Sequence, residues 1–340
     1  MRIGIYKDTL ANGRGADRAV QGLASALVER GHDAVLFEKK ELAVRLRECW
    51  DVMISTGTNE LLDLAAAGVR LPPMIQQFHT DPAYQFRHWL RRWRRNRAIK
   101  AALASVSAIQ VLRRQHAQWL CENVGHLEST VHIVVIGNWS GISSVSERNG
   151  DPDKVVICPG AINRDKNQEL LIRSFVNVCD DYPEWRLEFY GTGSPHNERR
   201  IRNIAERSRY GGNDGRISFK GHCELREAYA SCAFVALPSK TEGFPLVVVE
   251  AASFGKPAVM VRDWIGTAEA GGGIVTEPSV KAYAEGLRRL MSDVELRRRM
   301  GGNARSFCAE HYSREGILDQ WEELIGKVVA APSAGKHEGG

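Results

Sequence analysis

Short runs rich in β-branched and aromatic residues alternate with helical stretches along most of the chain, first from Ile3 to Ile136 and again from Val155 to Val275. Such alternation is typical of parallel sheets with helical crossovers. The two series are separated by NWSGISSVSERNGDPD (138–153), which lacks apolar periodicity and is rich in turn residues. The pattern therefore predicts an α/β protein of two domains, at 1–145 and 146–312, followed by an amphipathic helix at 313–330 and a disordered tail at 331–340.

Length and composition agree with two domains in a reducing compartment. The chain has 340 residues, about twice a common domain size. No apolar run reaches the roughly 18 residues of a spanning helix, and the first residues, MRIGIY, read as a strand. The seven cysteines include no Cys-x-x-Cys pair. We therefore expect a cytoplasmic protein with reduced cysteines.

The run PSKTEGFPLVVVEAASFGKPAV (238–259) places Glu242 and Glu250 on either side of a Gly-Phe-Pro turn. A buried strand precedes it, Pro245 suits a first helical turn, and Gly255 followed by Lys256-Pro257 ends the helix before a further strand. Glu242 then lies on a loop and Glu250 in the helix. Carboxylates in this setting accept paired hydrogen bonds from the hydroxyls of a sugar or ribose. The same sequence is also compatible with an ordinary βαβ unit whose glutamates are solvated.

The wider sequence resembles the family-4 retaining glycosyltransferases, which carry two glutamates seven residues apart in this setting. The stretches that carry the resemblance follow in the family's order: VVICPGAINRDKNQELLIRSF (155–175), LEFYGTG (187–193), SFKGHC (218–223) and ELREAYASCAFVALPS (224–239). The resemblance implies the GT-B fold, with two Rossmann-like domains that face a central cleft. It also implies hexosyl transfer from a nucleotide-diphosphate sugar, with a UDP sugar expected over a GDP sugar, and acceptor binding in the N-terminal half.

The resemblance assigns most of the donor site to the C-terminal half. Lys166 falls at the family's phosphate-binding lysine, whereas Ala161 stands where the family usually has an arginine that Arg164 would replace. The residues that complete this predicted site are Glu250 for the ribose, Glu242 with the amides of Gly243 and Phe244 for the sugar, and the helix start Pro245, Leu246 and Val247 for the diphosphate.

Other strand ends are candidates through the same resemblance. Gly191, Gly193 and His222 would line the nucleobase slot, Gly13 and Gly15 would face the diphosphate, and His79 would lie beside the transferred sugar and join Glu242 and Lys166 as a catalytic residue. Each has a simpler interpretation, as a turn glycine or a structural histidine. Arg18 also replaces the third glycine of a dinucleotide motif.

We expect no metal and no cofactor besides the donor. The one Asp-x-Asp, at 151–153, precedes a strand, whereas a metal site for a diphosphate needs carboxylates at a strand's C-terminal end. No other cluster has the spacing of a metal site.

The segment from Pro82 to Cys121 contains no Asp or Glu but nine Lys and Arg residues, while the whole chain has a net charge of +5, so the remainder sums to 5 − 9 = −4. Phe86, Trp89, Leu90 and Trp93 recur at helical spacing and predict an aromatic face with cationic flanks. Such a helix fits an anionic membrane or a phosphate-bearing lipid acceptor, and alternatively a solvated basic face over a packed core. The predicted membrane or acceptor residues are Arg87, Trp89, Arg91, Arg92, Trp93, Arg94 and Arg95.

These observations predict a metal-independent glycosyltransferase, peripheral on the inner face of the cell membrane, that acts on a lipid-linked, lipopolysaccharide or polysaccharide glycan. No nucleic-acid motif accompanies the basic segment. Two alternatives remain: a nucleotide-sugar epimerase of similar architecture, and a noncatalytic basic adaptor.

Overall fold

The structure is a computed structural model that describes residues 1–10, 15–86, 89–125, 127, 131–142, 153–208 and 215–331, without the side chains of 89–92. The chain divides into two compact units. The first comprises Met1–Asn138 together with the chain from Arg314 onward, and the second comprises Trp139–Ser313. The division thus falls at Asn138, where the turn-rich segment 138–153 begins.

The N-terminal unit contains a six-stranded parallel sheet with strand order β2-β1-β3-β4-β5-β6. Its strands are β1 (Arg2–Lys7), β2 (Asp33–Glu38), β3 (Val52–Ser55), β4 (Met74–Gln77), β5 (Ala108–Val111) and β6 (His132–Val135). Its helices are α1 (Gly15–Glu29), α2 (Leu42–Arg45), α3 (Thr58–Ala65), α4 (Pro82–Phe86), α5 (Trp89–Leu103) and α6 (Arg114–Val124). The strands β3, β4 and β5 are buried along their whole length, as expected for a parallel sheet covered on both faces.

The C-terminal unit repeats this plan with strand order β12-β11-β10-β7-β8-β9, again all parallel. Its strands are β7 (Val155–Pro159), β8 (Arg186–Tyr190), β9 (Ile217–Gly221), β10 (Phe234–Leu237), β11 (Ala258–Met260) and β12 (Gly273–Val275). Its helices are α7 (Gln168–Val178), α8 (Pro195–Glu206), α9 (Arg226–Ser231), α10 (Leu246–Ser253), α11 (Val280–Ser292) and α12 (Val294–His311). Trp185 and Phe234 pack in its core with ring centroids 5.7 Å apart.

In each sheet one pair of adjacent strands marks the point where the strand order reverses. These strands are β1 and β3 in the N-terminal unit and β7 and β10 in the C-terminal unit. The loops that leave such a pair run to opposite faces of the sheet and open a crevice at the carboxyl ends, where ligands of open parallel sheets bind. The topology therefore directs attention to the loops after β1, β3, β7 and β10.

The last helix, α13 (Arg314–Ala330), belongs to the N-terminal unit. Its buried side chains recur at helical spacing: Ile317, Leu318, Trp321, Leu324, Ile325 and Val328. An ion pair and a hydrogen bond join it to the turn after α1, where Arg30 meets Asp319 at 3.0 Å and His32 Nε2 lies 2.9 Å from Glu322 Oε1. This helix therefore completes the N-terminal unit from the far end of the chain.

Candidate active site

An ion pair stands at the strand-order reversal of the C-terminal sheet. Lys166 Nζ, from the loop after β7, donates to Glu242 Oε1, from the loop after β10, at 2.6 Å. The Glu242 side chain is only 7% exposed and that of Lys166 is 24% exposed. The two residues assigned separately to phosphate and to sugar therefore contact each other directly.

A main-chain hydrogen bond and a side-chain hydrogen bond hold the two loops together and so position this pair. The Lys240 amide donates to the Asp165 carbonyl at 2.7 Å, and Asn167 Nδ2 donates to the Pro238 carbonyl at 3.3 Å. Asn167 has a φ of 53°, in the left-handed region that asparagine tolerates better than most residues. The amide of Lys166 donates to Asn163 Oδ1 at 2.9 Å, which fixes the base of the lysine side chain.

Arg164 and Ala161 lie on the same loop, and both are exposed. None of the hydrogen bonds or ion pairs among the described residues involves the Arg164 side chain. Arg164 is therefore a cation available to a ligand at this edge, and its replacement of the family arginine stays a prediction.

Glu250 lies in α10 and is almost entirely buried. The hydroxyl of Tyr229, in α9, donates to Glu250 Oε2 at 2.7 Å, and Tyr229 is itself stacked on Phe254 with ring centroids 5.7 Å apart. Because the tyrosine ring is fixed by packing, its hydroxyl orients the carboxylate. Tyr229 is not among the residues predicted for the site, although it lies within the stretch ELREAYASCAFVALPS that carries the family resemblance.

The start of α10 offers fewer amides than its sequence suggests. Pro245 has no N–H, and the amide of Leu246 already donates to the Phe244 carbonyl at 2.9 Å. Of the predicted trio at the helix start, Val247 is thus the candidate for an anion. Phe244 is buried and meets Tyr312 edge-on at a centroid distance of 5.3 Å, which holds the Gly-Phe-Pro turn in place.

Gly191 and Gly193 lie immediately after β8 and have a clear packing reason to be glycine. A side chain on Gly191 would collide with the Gly160 carbonyl, and one on Gly193 would collide with the Ile162 carbonyl. Gly191 also has a φ of 130°. Because both positions lack a side chain, the loops after β7 and β8 can approach each other closely. His222 is exposed just beyond β9. A contact of these three residues with a nucleobase stays a prediction.

Cys158 lies on β7 within electrostatic range of the Lys166–Glu242 pair. Burial raises the pKa of its thiol to about 12, opposed by Lys166 and reinforced by Glu242. The thiol is therefore protonated at neutral pH, and the site has no thiolate nucleophile at this position.

A second Lys–Glu pair lies at the strand-order reversal of the N-terminal sheet. Lys7 Nζ, at the end of β1, donates to Glu60 Oε1, in α3 after β3, at 2.8 Å. Lys7 and Glu60 carry no recognisable motif in the sequence, and only the strand order brings them together. Of the predicted glycines after β1, Gly13 lies outside the described residues and Gly15 begins α1.

His79 follows β4 in the same unit, and both of its ring nitrogens are shielded from solvent without a hydrogen-bond partner among the described residues. Burial lowers the pKa of His79 to about 4, reinforced by the positive charge of Lys7 and opposed by Glu60. His79 is therefore neutral at pH 7 and retains one donor and one acceptor.

The described part of the basic segment includes α4 and α5. Phe86 ends α4 and is buried against Trp119 at a centroid distance of 5.4 Å, so at this residue the structure agrees with the alternative in which the aromatic residues pack on the core. In α5 the buried positions are Asn96, Ile99, Ala102 and Leu103.

Trp93 is 49% exposed, and the guanidinium of Arg94 lies 5.5 Å from its ring centroid. Arg95 instead donates to Thr58 Oγ1 at 3.1 Å and Asn59 Oδ1 at 2.8 Å, which ties α5 to α3. Arg87 and the side chains of Trp89, Arg91 and Arg92 lie outside the described residues. Trp93 and Arg94 thus form an exposed cationic and aromatic surface, whereas Arg95 belongs to the packing of the unit.

The described residues also bear on the predictions about a metal ion and a membrane. Within the described parts of the chain, no three His, Cys, Asp or Glu side chains gather as they would around a metal ion. Asp151, from the Asp-x-Asp segment, lies outside those parts. No helix among the described residues is both long and apolar enough to cross a membrane.

Comparison with known proteins finds a family that is similar to the C-terminal unit. Residues 142–307 match the model of the family "Glycosyl transferases group 1". An exopolysaccharide phosphotransferase of Streptomyces coelicolor is 28% identical over 327 residues, which cover 92% of this chain and 33% of that protein. The chain therefore spans about a third of the length of this curated relative.

Two solved structures cover nearly the whole chain. Sucrose-phosphate synthase from Thermosynechococcus elongatus has a TM-score of 0.80 at 16% identity and covers 97% of this chain and 100% of its own. The Anabaena protein HepE, solved in complex with UDP-glucose, has a TM-score of 0.74 at 17% identity and covers 96% and 100%. These similarities show the fold. The prediction of two Rossmann-like units with parallel sheets, of GT-B type, is confirmed.

Proposed function

We propose that this protein transfers a sugar from a nucleotide-diphosphate donor to an acceptor hydroxyl. The observation that carries the proposal is the Lys166–Glu242 pair, which places a cation for phosphate and a carboxylate for sugar hydroxyls on one ligand-binding edge. The family of residues 142–307 supports the reaction class, and the UDP-glucose bound by the HepE structure supports a UDP sugar as donor.

In this proposal the bond between the sugar C1 and the β-phosphate oxygen breaks, and its electron pair leaves with the phosphate. The acceptor oxygen forms the new bond to C1, and its proton passes to the departing phosphate oxygen on the same face, which gives retention. No protein nucleophile is required. The chain's own residues hold the reactants: Lys166 and Arg164 with the Val247 amide at the diphosphate, Glu250 at the ribose, and Glu242 at the sugar.

Fixed cations take the role that a metal has in other sugar transferases. An ammonium and a helix N-terminus stabilise the charge that develops on the departing diphosphate. We therefore propose transfer without a metal.

The acceptor is proposed to be a glycan of polysaccharide or lipid-linked type, met at an anionic membrane surface on the cytoplasmic side. Support comes from the exposed Trp93 and Arg94 on α5 and from the relative named for an exopolysaccharide. Each Lys or Arg near an anionic leaflet contributes roughly 1 kcal/mol to binding.

The proposal is tested with a panel of nucleotide sugars in a thermal-shift assay, since a donor that binds the folded protein raises its melting temperature by mass action. A donor that stabilises the protein is then supplied with radiolabelled sugar and an oligosaccharide acceptor. Lys166→Ala and Arg164→Ala are the matched pair of variants. Lys166→Ala should weaken donor binding more, because Lys166 falls at the family's phosphate-binding position and its amide is anchored by Asn163. Conversion of the donor to its epimer without acceptor would contradict transfer, as would a chain that binds no nucleotide sugar.

A further inference from the structure

The Gly-Phe-Pro turn is supported by a tyrosine that lies far along the chain from it. Phe244, the middle residue of the turn, is buried and meets the ring of Tyr312 edge-on with centroids 5.3 Å apart. Tyr312 follows directly after α12 and belongs to none of the stretches that carry the family resemblance. The proposed function leaves Tyr312 without a role.

Tyr312 is itself held by three other contacts. Its amide donates to the Cys308 carbonyl at 2.8 Å, which closes the last turn of α12. Its hydroxyl donates to the carbonyl of Ile265, in the loop after β11, at 3.2 Å. The ring of Phe307 meets the Tyr312 ring edge-on at a centroid distance of 6.0 Å. The Tyr312 ring is therefore anchored to α12 and to the loop after β11, and it supports the turn after β10.

The turn that carries the Phe244 ring is stiff. Pro245 has a φ of −81° and a ψ of 75°, and the Leu246 amide donates to the Phe244 carbonyl at 2.9 Å, so Pro245 is the centre of an inverse γ-turn. The proline ring also fixes φ at this position. The backbone on this side of Phe244 therefore has little freedom to absorb a shift of the ring, and such a shift displaces the Phe244 backbone.

The amide of Phe244 is the group that depends on this support. No hydrogen bond among the described residues uses that amide. The family resemblance assigns it, with Gly243 and Glu242, to the hydroxyls of the transferred sugar. A hydrogen bond weakens steeply as its angle departs from linear, so an amide that binds a sugar must point in a fixed direction.

We infer that Tyr312 is a positioning residue for the transferred sugar and acts through the ring of Phe244. It contributes to the binding of the sugar half of the donor and not to that of the nucleotide half. The inference rests on the proposed function, since it requires that the Gly-Phe-Pro turn hold a donor sugar.

The residues proposed for the nucleotide half have supports of their own. Glu250 accepts a hydrogen bond from the Tyr229 hydroxyl at 2.7 Å, and the Lys166 amide donates to Asn163 Oδ1 at 2.9 Å. Neither contact involves Tyr312. A change at Tyr312 should therefore separate the contribution of the sugar from that of the nucleotide.

The test measures the dissociation constants of UDP, UDP-glucose and UDP-N-acetylglucosamine on the whole chain by calorimetry. The readout is the ratio of the UDP constant to the constant of the UDP sugar that the wild type binds more tightly. The variants are Tyr312→Phe, which removes only the hydroxyl, and Tyr312→Leu, which also removes the ring. Tyr283→Phe is the matched control, because the Tyr283 hydroxyl likewise donates to a main-chain carbonyl of the same unit, that of Val259, at 2.8 Å.

The ratio should fall by about threefold in Tyr312→Phe and by about tenfold in Tyr312→Leu, the range expected for the loss of a hydrogen bond and of an aromatic pair. UDP affinity should stay nearly unchanged in both variants. Tyr283→Phe should lower the melting temperature without a change in the ratio. Because Tyr312 acts through Phe244, the addition of Tyr312→Leu to Phe244→Leu should lower the ratio no further.

Three results would overturn the inference: an unchanged ratio in both Tyr312 variants, equal losses of affinity for UDP and for the UDP sugar, or additive losses in the double variant. A wild type that binds UDP but neither UDP sugar would overturn it as well. If Tyr312→Leu does not fold, the ratio in Tyr312→Phe decides alone. Failure of the wild type to bind UDP would instead refute the proposed function.

Discussion

Removal of the charge on Glu242 should have opposite effects on nucleotide binding and on transfer. In the structure the Lys166 ammonium is engaged by Glu242 at 2.6 Å, so a diphosphate that approaches Lys166 competes with this carboxylate. Glu242→Gln keeps the size of the side chain and removes the competitor. We therefore expect UDP to bind the variant more tightly than the wild type.

The magnitude follows from the contact. A hydrogen bond between charged groups contributes roughly 1.5–3 kcal/mol when it is buried. Lys166 is about a quarter exposed, and solvent screening lowers this contribution. We expect a gain of about 1 kcal/mol, or roughly fivefold in the UDP dissociation constant. The rate of transfer should fall by at least about tenfold, because the amide cannot accept sugar hydroxyls as strongly as the carboxylate.

Calorimetry with UDP at low ionic strength measures the first effect, and initial rates with a saturating donor measure the second. Glu184→Gln is the control, because Glu184 pairs with Lys154 on the surface of the same unit. The gain in affinity should shrink as salt is added. Weaker UDP binding by Glu242→Gln would refute the competition and place Glu242 among the groups that hold the nucleotide.

Four further predictions follow from residues described above. Glu250→Ala should weaken UDP binding by about tenfold to a hundredfold, through the loss of hydrogen bonds to a charged acceptor, and unchanged affinity in calorimetry would exclude Glu250 from the ribose site. Transfer should persist in EDTA, and its loss with rescue by manganese would contradict the proposed absence of a metal. Binding to phosphatidylglycerol vesicles should shift the fluorescence of Trp93 to the blue. This binding should fall steeply as salt is added, and also when Arg91, Arg92 and Arg94 are all replaced by Gln. Salt-independent binding, or no binding, would show that α5 presents only a solvated basic face. The pKa of His116 in the folded protein is lowered to about 4, chiefly by burial and then by Arg113. An unfolded histidine titrates near 6.5, so the unfolded state binds a proton first as the pH decreases. The stability of the folded state therefore falls between about pH 6.5 and pH 4. By denaturant titration this residue should account for about 2 kcal/mol of the loss between pH 7 and 5, and His116→Gln should lose that much less than the wild type.

Local patterns in the sequence predict which residues end strands and begin helices around the C-terminal site. The turn Gly-Phe-Pro, the strand before it and the helix with Glu250 lie where the spacing of proline, glycine and apolar residues indicates. The positions of Lys166 and His79 in segments that follow strands are likewise local features. Each of these predictions depends on a few consecutive residues, for which steric and hydrogen-bonding preferences are decisive.

Contacts between distant segments could not be predicted in the same way. Glu242 lies 76 residues from Lys166, and Glu60 lies 53 residues from Lys7. Which loops become neighbours depends on the order of the strands in the sheet. The alternation of residues along a strand does not depend on the strand's place in that order, so the sequence pattern does not reveal which loops meet. Phe86 shows the complementary limit, because its helical spacing with Trp93 does not reveal that the Phe86 ring is buried against Trp119 whereas Trp93 is exposed.

The return of α13 to the N-terminal unit has a consequence for biosynthesis. A ribosome releases the N-terminal sheet long before Trp321 and the other buried residues of α13 exist, and the C-terminal unit is synthesised in between. The surface that α13 covers must therefore stay open to solvent until residues 314–330 are made. The second unit can close around a continuous stretch of chain, whereas the first reaches its final packing only after residues 314–330 have been added. A fragment that ends at Asn138 would keep that apolar surface exposed and should aggregate unless residues 314–330 are supplied in trans.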